Sequence, residues 1–151
     1  MRIPLQRLPH ALDLPMPAYA TSGSAGLDLL AANDADINLE PMQRAAVPCG
    51  IAIALPAGFE AQVRPRSGLA LHHGITVLNA PGTVDSDYRG EIKTVLINLS
   101  ETPFRVTRGM KIAQLVVASH VRAELDEVRE LQPSTRNQGG FGSTGLSANK
   151  A

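Results

Sequence analysis

Eleven prolines and thirteen glycines are scattered through these 151 residues, and they limit the fold more than any other feature. Both residue types are unfavourable inside a helix, because proline lacks the backbone N–H and glycine loses the most conformational entropy. They divide the chain into short segments with turn signals between them, at 56–58, 80–82 and 108–109. This spacing favours strands and predicts an all-β sandwich or barrel.

Four segments have the pattern of strands, and they are 51–55, 60–64, 91–99 and 111–117. Alternate side chains of a strand point to opposite faces, so Ile112, Gln114 and Val116 are expected to share one face. Gln114 is then a polar residue on an apolar stripe. One short helix is predicted from Ser67 to about His73, with Ser67 as its N-cap and Gly74 as its end.

Length and composition favour one folded domain. Hydrophobic residues make up 44% of the chain, far more than in disordered sequences, although only 3% of the residues are aromatic. The 14 basic and 14 acidic residues balance, so the whole molecule has no strong field to attract DNA or an anionic membrane. We therefore expect neither nucleic acid nor membrane as a partner.

The cysteine content and the N-terminal residues bear on location. Cys49 is the only cysteine, which excludes an intrachain disulfide framework and points to a reducing compartment. Four prolines interrupt residues 1–17, so no apolar signal region forms there, and no segment approaches a membrane span. These features predict a cytoplasmic protein.

The composition changes after Leu131, where proline, serine, threonine, asparagine and glycine predominate. We therefore expect a domain over residues 1–133 and a mobile glycine-rich tail over 134–151. The tail joins Arg136 to a glycine run, 139–145, that contains Phe141 and two hydroxyl residues. Backbone N–H groups, a cation and an aromatic ring suit a phosphate-bearing ligand with a flat base.

Two further segments could carry chemistry. Residues 65–69 place Arg66 and Ser67 where a strand meets a helix start, a common anion-binding position, although an ordinary capped helix has the same pattern. Residues 82–90 place Asp85 and Asp87 on a predicted hairpin loop. Turns favour aspartate for backbone reasons, but an aspartate near a polyphosphate could also act as a general base.

The adjacent histidines at 72–73 and the lone cysteine predict no structural zinc.

Taken in order, five segments resemble those of the trimeric dUTP pyrophosphatases, or dUTPases. They are Ala25-Gly26-Leu27-Asp28-Leu29, Pro65-Arg66-Ser67-Gly68-Leu69-Ala70, the 82–90 segment with Asp-Ser-Asp-Tyr-Arg-Gly, the 108–115 segment with Gln114, and Arg136 with 139–145. Each is weak alone, but five in family order over residues 25–145 are specific. One departure is Asn137, where the family usually has glycine directly after the arginine.

The resemblance implies a jelly-roll or β-clip type barrel with one short helix that assembles as a homotrimer. It also implies Mg²⁺-dependent hydrolysis of dUTP to dUMP and pyrophosphate, which limits uracil incorporation into DNA and supplies dUMP for dTMP synthesis. Three subunits would share each active site, and the tail of one chain would close over a site built by two others. Mg²⁺ would be held mainly by the triphosphate, with Asp28 acting indirectly through water.

By the same resemblance, Asp85 is the general base that activates water. The implied substrate contacts are of four kinds. They are residues that bind the phosphates, the hairpin from Asn79 to Asp85 that binds uracil, the Tyr88 ring that excludes a 2′-hydroxyl, and the residues of the tail. These contacts are Arg66, Ser67, Gly68, Asn79, Thr83, Val84, Asp85, Tyr88, Lys93, Gln114, Arg136, Phe141, Gly142, Ser143 and Thr144.

Three alternatives stay open at this point. A dCTP deaminase shares the fold, but it attacks C4 of the pyrimidine and needs a different set of base contacts. A nucleotide-binding or regulatory module would use dUTP only to order the tail. A purely structural jelly-roll trimer would bind no nucleotide, and it would leave Asp85, Gln114 and Phe141 without a purpose.

Overall fold

The structure is a computed structural model, and it describes residues 1–143. Within this range the chain forms short strands, one α-helix (α1, Ser67–His73) and one turn of 3-10 helix at Pro9–Ala11. The strands are β1 Leu5–Arg7, β2 Leu27–Leu30, β3 Ile37–Leu39, β4 Arg44–Pro48, β5 Ile51–Ile53, β6 Phe59–Arg64, β7 Ile75–Val77, β8 Gly82–Val84, β9 Lys93–Asn98, β10 Phe104–Val106 and β11 Lys111–Ser119.

The strands pair antiparallel in four groups. The largest sheet has the order β2-β11-β6-β8, and a second sheet has the order β4-β9-β7. Two smaller pairs, β1-β5 and β10-β3, complete the architecture. The neighbours in each sheet are distant in sequence, and buried side chains from all four groups pack into one core. The predicted all-β fold with a single short α-helix is confirmed in the described residues.

One face of the four-stranded sheet forms part of the core. Leu29, Ala61, Val63 and Leu115 are buried on this face, where they pack against aliphatic side chains of the other sheets. A core of small aliphatic residues suits a chain with few aromatic residues, because these side chains fill the space between sheets in well-defined rotamers. The opposite face of the same sheet carries polar residues, and these residues matter for the site.

The predicted apolar stripe through Gln114 is wrong. The pairing between β11 and β2 shifts register between Lys111 and Ala113, so the alternation that holds for an ideal strand is interrupted there. Ile112 is consequently buried in the core together with Ala113. Gln114 lies on the outward polar face, directly opposite Asp28 on one side and Arg64 on the other.

The helix prediction is correct in its bounds and wrong in its cap. Helix α1 ends at Gly74, which has a left-handed φ of 64° and donates its N–H to the Ala70 carbonyl. The N-cap is Arg66, because its backbone is extended and its carbonyl accepts the Ala70 N–H at 3.0 Å. Ser67 is the first helical residue, and its hydroxyl makes no capping hydrogen bond.

After β11 the chain leaves the sheets. Residues 121–138 are exposed throughout, and Val121 and Leu125 each keep over nine-tenths of their surface accessible. The division into a domain over 1–133 and a tail over 134–151 stays a prediction. Residues 144–151 lie outside the described part of the chain.

No helix within residues 1–143 is long and apolar enough to cross a membrane. Cys49 is buried, and its thiol lies 3.4 Å from the Thr94 hydroxyl. Burial raises the pKa of this thiol to about 11, so it stays protonated near neutral pH.

Candidate active site

A pocket of about 210 Å³ opens beside β8, the short strand that contains the 82–84 segment. Polar and charged side chains line much of its wall. The lining residues are Val63, Asn79, Gly82, Thr83, Val84, Asp85, Tyr88, Glu91, Ile92 and Lys93. Of the predicted substrate contacts, the structure thus brings Asn79, Thr83, Val84, Asp85, Tyr88 and Lys93 around one space.

Strand β8 lines this pocket, and its pairing with β6 holds it at the edge of the sheet. Val84 lies opposite Ala61 and points into the core, with only 7% of its surface exposed. At Gly82 a Cβ atom would lie 3.3 Å from the Asn79 amide nitrogen and 3.3 Å from Val63 Cβ. A side chain at residue 82 would therefore be crowded. Because Gly82 has no side chain and Val84 points inward, strand β8 offers a ligand mainly backbone groups.

The wall beside β8 is formed by a tight loop. The Tyr88 hydroxyl donates to the Glu91 carbonyl at 3.0 Å, which holds the phenol ring across Gly90. A Cβ atom at Gly90 would lie 2.5 Å from Tyr88 Cζ and 2.9 Å from its Cε2. Glycine is therefore required at residue 90 for the ring to occupy this position.

Asp85 directly follows β8, and its side chain is exposed at the pocket. The loop that carries it is held by its backbone, because the Tyr88 N–H donates to the Asp85 carbonyl at 3.2 Å. No hydrogen bond to the Asp85 carboxylate is present within residues 1–143. The carboxylate is thus held at the pocket by the backbone, with its oxygens available to a ligand or water.

A second group of predicted residues lies on the polar face of the four-stranded sheet. The Asp28 carboxylate is largely buried, and its two oxygens lie 3.4 Å from Arg66 Nε and 2.7 Å from Lys111 Nζ. Arg66 also donates from Nη1 to the Lys111 carbonyl at 2.9 Å. Gln114 is the direct cross-strand neighbour of Asp28. Ser67 and Gly68 are exposed in the first turn of α1.

Sequence patterns did not indicate Lys111 as the partner of Asp28, nor the role of Arg108. Arg108 donates to the carboxylate of Asp13, to the His10 carbonyl and to the Asn33 carbonyl. The hydrogen bond from Arg108 holds the pKa of the Asp13 carboxyl below its usual value. Arg108 thereby ties the N-terminal segment to the barrel.

Glu91 connects the same N-terminal segment to the pocket. Its Oε1 accepts the Gly50 N–H at 2.9 Å and lies 3.0 Å from His10 Nε2. Glu91 also lines the pocket, so the N-terminal 3-10 turn supports one wall of it. These contacts join residues far apart in sequence, and no local signal predicted them.

The predicted tail residues lie apart from both groups in the described structure. Within the described residues, the hydrogen bonds of residues 134–143 are internal to that segment, for example from Arg136 Nε to the Gly139 carbonyl at 2.7 Å. Phe141 is fully exposed, and Gly142 and Ser143 are exposed beside it. Thr144, another predicted contact, lies outside the described residues.

The departure at Asn137 has a conformational explanation. Its φ is 44°, in the left-handed region that favours glycine and that asparagine tolerates better than most other residues. The residue therefore occupies the backbone conformation that a glycine would supply at this place.

The donor set is informative about metal binding. Within residues 1–143, no group of three or more His, Cys, Asp or Glu side chains could hold a metal ion. Both oxygens of Asp28 already face cations, which disfavours direct coordination. The Asp28 carboxylate therefore fits an ion that keeps its waters and takes most of its ligands from a bound polyphosphate, as Mg²⁺ commonly does.

Comparison with known proteins places this chain in a family. A family model described as dUTPase matches residues 13–145. A curated relative from Methylocella silvestris, a deoxyuridine 5'-triphosphate nucleotidohydrolase, is 53% identical over 150 residues, which cover 98% of this chain and 94% of the relative.

Solved structures show the same fold. A mutant dUTPase of Staphylococcus bacteriophage 80alpha, with bound dUpNHpp, has a TM-score of 0.87 at 23% identity and covers 96% of this chain and 99% of its own. A mutant dUTPase from phage phi11 of S. aureus, described for the coordination of a structural Mg(II) ion, has a TM-score of 0.76 at 21% identity, with coverage of 86% and 98%. With its all-β jelly-roll fold and a family match over most of its length, the chain belongs to the dUTPase family.

Proposed function

We propose that this protein hydrolyses dUTP to dUMP and pyrophosphate by attack of water on the α-phosphorus. The observation that supports this most is the pocket beside β8, where Asp85 and Tyr88 lie together in a chain that belongs to the dUTPase family. Six of the residues expected to contact the substrate line that one pocket.

Uracil is selected by the backbone of the segment from Asn79 to Asp85. Val84 turns its side chain into the core and Gly82 has none, so the base meets backbone donors and acceptors there. Cytosine presents a donor where the backbone requires an acceptor, which leaves buried groups unpaired. The methyl group of thymine would collide with the turn. The Asn79 side chain and Thr83 complete this part of the site.

The deoxyribose is selected by Tyr88. The hydrogen bond to the Glu91 carbonyl and the absence of a side chain at Gly90 hold the phenol ring against the pocket. A 2′-hydroxyl then has no room beside the ring, so UTP is rejected by steric conflict.

Asp85 acts as the general base. Its carboxylate lies at the pocket on a loop held by backbone hydrogen bonds, in position to take a proton from the attacking water. The phosphates are bound by Arg66, Ser67, Gly68 and Gln114, with the Ser67 hydroxyl near the bridging oxygen on which charge develops. Lys93 is a further contact with the ligand. The Asp28 carboxylate holds Arg66 in place for this task.

Mg²⁺ serves as the cofactor and is held mainly by the triphosphate oxygens and water, with Asp28 acting through water. When bound, it neutralises part of the charge on the triphosphate. The two cations beside Asp28 restrict that carboxylate to an indirect role.

The active sites are shared within a homotrimer. The two groups of predicted residues lie at different places on one chain, the pocket beside β8 and the polar face around Asp28, which suits a site completed by neighbouring subunits. The tail, with Arg136, Phe141, Gly142, Ser143 and Thr144, closes over bound nucleotide. Phe141 has no core to join and is fully exposed, so it is available to stack on uracil.

Pyrophosphate release from dUTP, dTTP, dCTP and UTP tests the proposed activity, with ammonia release from dCTP assayed in parallel. Release from dUTP alone supports a dUTPase. Ammonia from dCTP would instead indicate a deaminase, and dUTP binding without turnover would indicate a regulatory nucleotide-binding module. The balanced charge and the single free, buried cysteine of the described residues suit action in the cytoplasm, without nucleic acid or membrane as partner.

A further inference from the structure

Arg64 lies in a row of polar residues that crosses the four-stranded sheet. Asp28 is paired with Gln114, and Gln114 is paired with Arg64, so the three residues occupy equivalent positions on three adjacent strands. Directly opposite residues in antiparallel strands project from the same face, with Cβ atoms about 4.5–5.5 Å apart. Arg64 therefore shares the polar face with two residues that the proposed function assigns to the phosphate region.

The guanidinium of Arg64 is held by a neutral partner. Its Nε and Nη2 donate to Gln62 Oε1 at 2.9 and 2.6 Å, and Gln62 in turn donates to Glu60 Oε1 at 2.6 Å. Within residues 1–143, Arg66, Arg105 and Arg108 each form an ion pair with an aspartate, whereas Arg64 forms none. The position of Arg64 is thus restrained, and no carboxylate of the described residues pairs with it directly.

The same side chain borders an open cleft of about 500 Å³. Arg64, Gln62 and Gln114 supply its polar wall, and Pro65 and Ala80-Pro81 supply the rest. Pro65 directly precedes Arg66, and Ala80 directly follows Asn79. The cleft therefore adjoins the phosphate-binding segment.

We propose that Arg64 is a further phosphate-binding residue for the triphosphate, and this inference rests on the proposed function. An arginine fork matches two phosphate oxygens, and only two of its five N–H groups are donated to Gln62. Together with Arg66 and Lys111, it gives this face of the sheet three cations against the two carboxylates of Asp28 and Glu60. That excess of positive charge attracts a polyanion to the side chain of Gln114.

Arg64→Gln tests this role because it removes the charge and keeps a polar, shorter side chain. The dissociation constants of the non-hydrolysable analogue dUpNHpp and of deoxyuridine are measured by calorimetry, with kcat and KM for dUTP. We expect dUpNHpp to bind about tenfold more weakly, because one charge-assisted hydrogen bond at an exposed site contributes at the low end of the usual range for such bonds. The affinity for deoxyuridine, which has no phosphate, should stay unchanged. Arg64→Lys should recover part of the loss.

Arg44→Gln is the matched control, since Arg44 is an exposed strand arginine in the other large sheet. It should leave the affinity for dUpNHpp unchanged. An Arg64→Gln variant with normal affinity, with equal loss for deoxyuridine, or with a changed oligomeric mass by light scattering would overturn the inference. The proposed function would still stand after any of these results, provided that the wild-type protein hydrolyses dUTP. A wild-type protein that does not hydrolyse dUTP would overturn both the proposed function and the role of Arg64.

Discussion

Lys111 Nζ lies 2.7 Å from Asp28 Oδ2, and the other carboxylate oxygen of Asp28 faces Arg66. The Asp28 side chain keeps 11% of its surface exposed, so the carboxylate is largely shielded from water. Such shielding makes the loss of one partner costly, because the remaining charges are left without compensation. This carboxylate therefore joins strands β2 and β11 to the start of α1 and orients Arg66.

Asp28→Asn is expected to lower the free energy of unfolding by about 1–3 kcal/mol, because Arg66 and Lys111 both lose their charged partner while the shape of the side chain is kept. Urea unfolding at a fixed protein concentration measures the change. Asp36→Asn is the control, since its pair with Arg105 is more exposed and should contribute less than about 1 kcal/mol. Equal losses of unfolding free energy in the two variants would contradict a special stabilising role for the Asp28 carboxylate.

Gly90→Ala is expected to displace the Tyr88 ring, because the added Cβ atom would lie 2.5 Å from Tyr88 Cζ. Discrimination between dUTP and UTP should fall by about tenfold or more, since the ring no longer closes the space beside C2′. The ratio of kcat/KM for the two nucleotides measures this effect. Gly23→Ala is the control, because a Cβ atom there meets nothing within 4 Å. An unchanged ratio in Gly90→Ala would argue against Tyr88 as the sugar filter.

Asp85→Asn is expected to bind dUpNHpp normally and to lower kcat by roughly 10²- to 10⁴-fold, the usual contribution of a general base. The amide keeps the size and shape of the carboxylate but cannot accept the proton from water. Calorimetry gives the affinity, and pyrophosphate release gives kcat. Asp87→Asn, two residues further along the same loop, serves as the comparison. Normal turnover by Asp85→Asn would remove Asp85 from the reaction.

Truncation after residue 133 is expected to leave the fold and the oligomeric mass intact, because within the described part of the chain the hydrogen bonds of residues 134–143 are internal to that segment. Turnover of dUTP should fall by about 100-fold or more when the closing segment is lost. The single change Phe141→Ala should weaken dUpNHpp by about 5- to 150-fold, the range for loss of one base–aromatic stack. Full activity of the truncated chain would exclude a closing role for the tail.

Burial of the Cys49 thiol predicts a loss of stability at alkaline pH. The pKa of this thiol is raised from 9.0 to about 11 in the folded chain, so between these values the unfolded chain releases a proton that the folded chain retains. The unfolding free energy should therefore fall between pH 9 and pH 11, by on the order of 2–3 kcal/mol.

Cys49→Ala isolates this effect, since the other titrating groups are common to both proteins. The variant should show a flatter dependence of unfolding free energy on pH above pH 9, measured by urea unfolding at several pH values. Parallel curves for the two proteins would show that the thiol is not shielded in the folded state.

Local patterns predicted the elements that depend on local physics. Helix α1 ends at Gly74, as predicted, because a left-handed residue there satisfies the last carbonyls whatever surrounds it. The strands at β5, β6, β9 and β11 follow from their apolar runs and alternation. The face of Gln114 was mispredicted, because the register shift beside Ala113 depends on pairing with β2 and leaves no mark on the spacing of β11.

The sequence alone determined the all-β class, the one short α-helix and the five family segments, since these follow from turn residues, alternation and residue identity within short stretches. Only the tertiary structure decided that Asp28 meets Lys111, that Glu91 meets His10, and that Arg64 shares a face with Gln114. Those neighbours come from strands far apart along the chain, and antiparallel register, which is a property of pairs of strands, brings their side chains together.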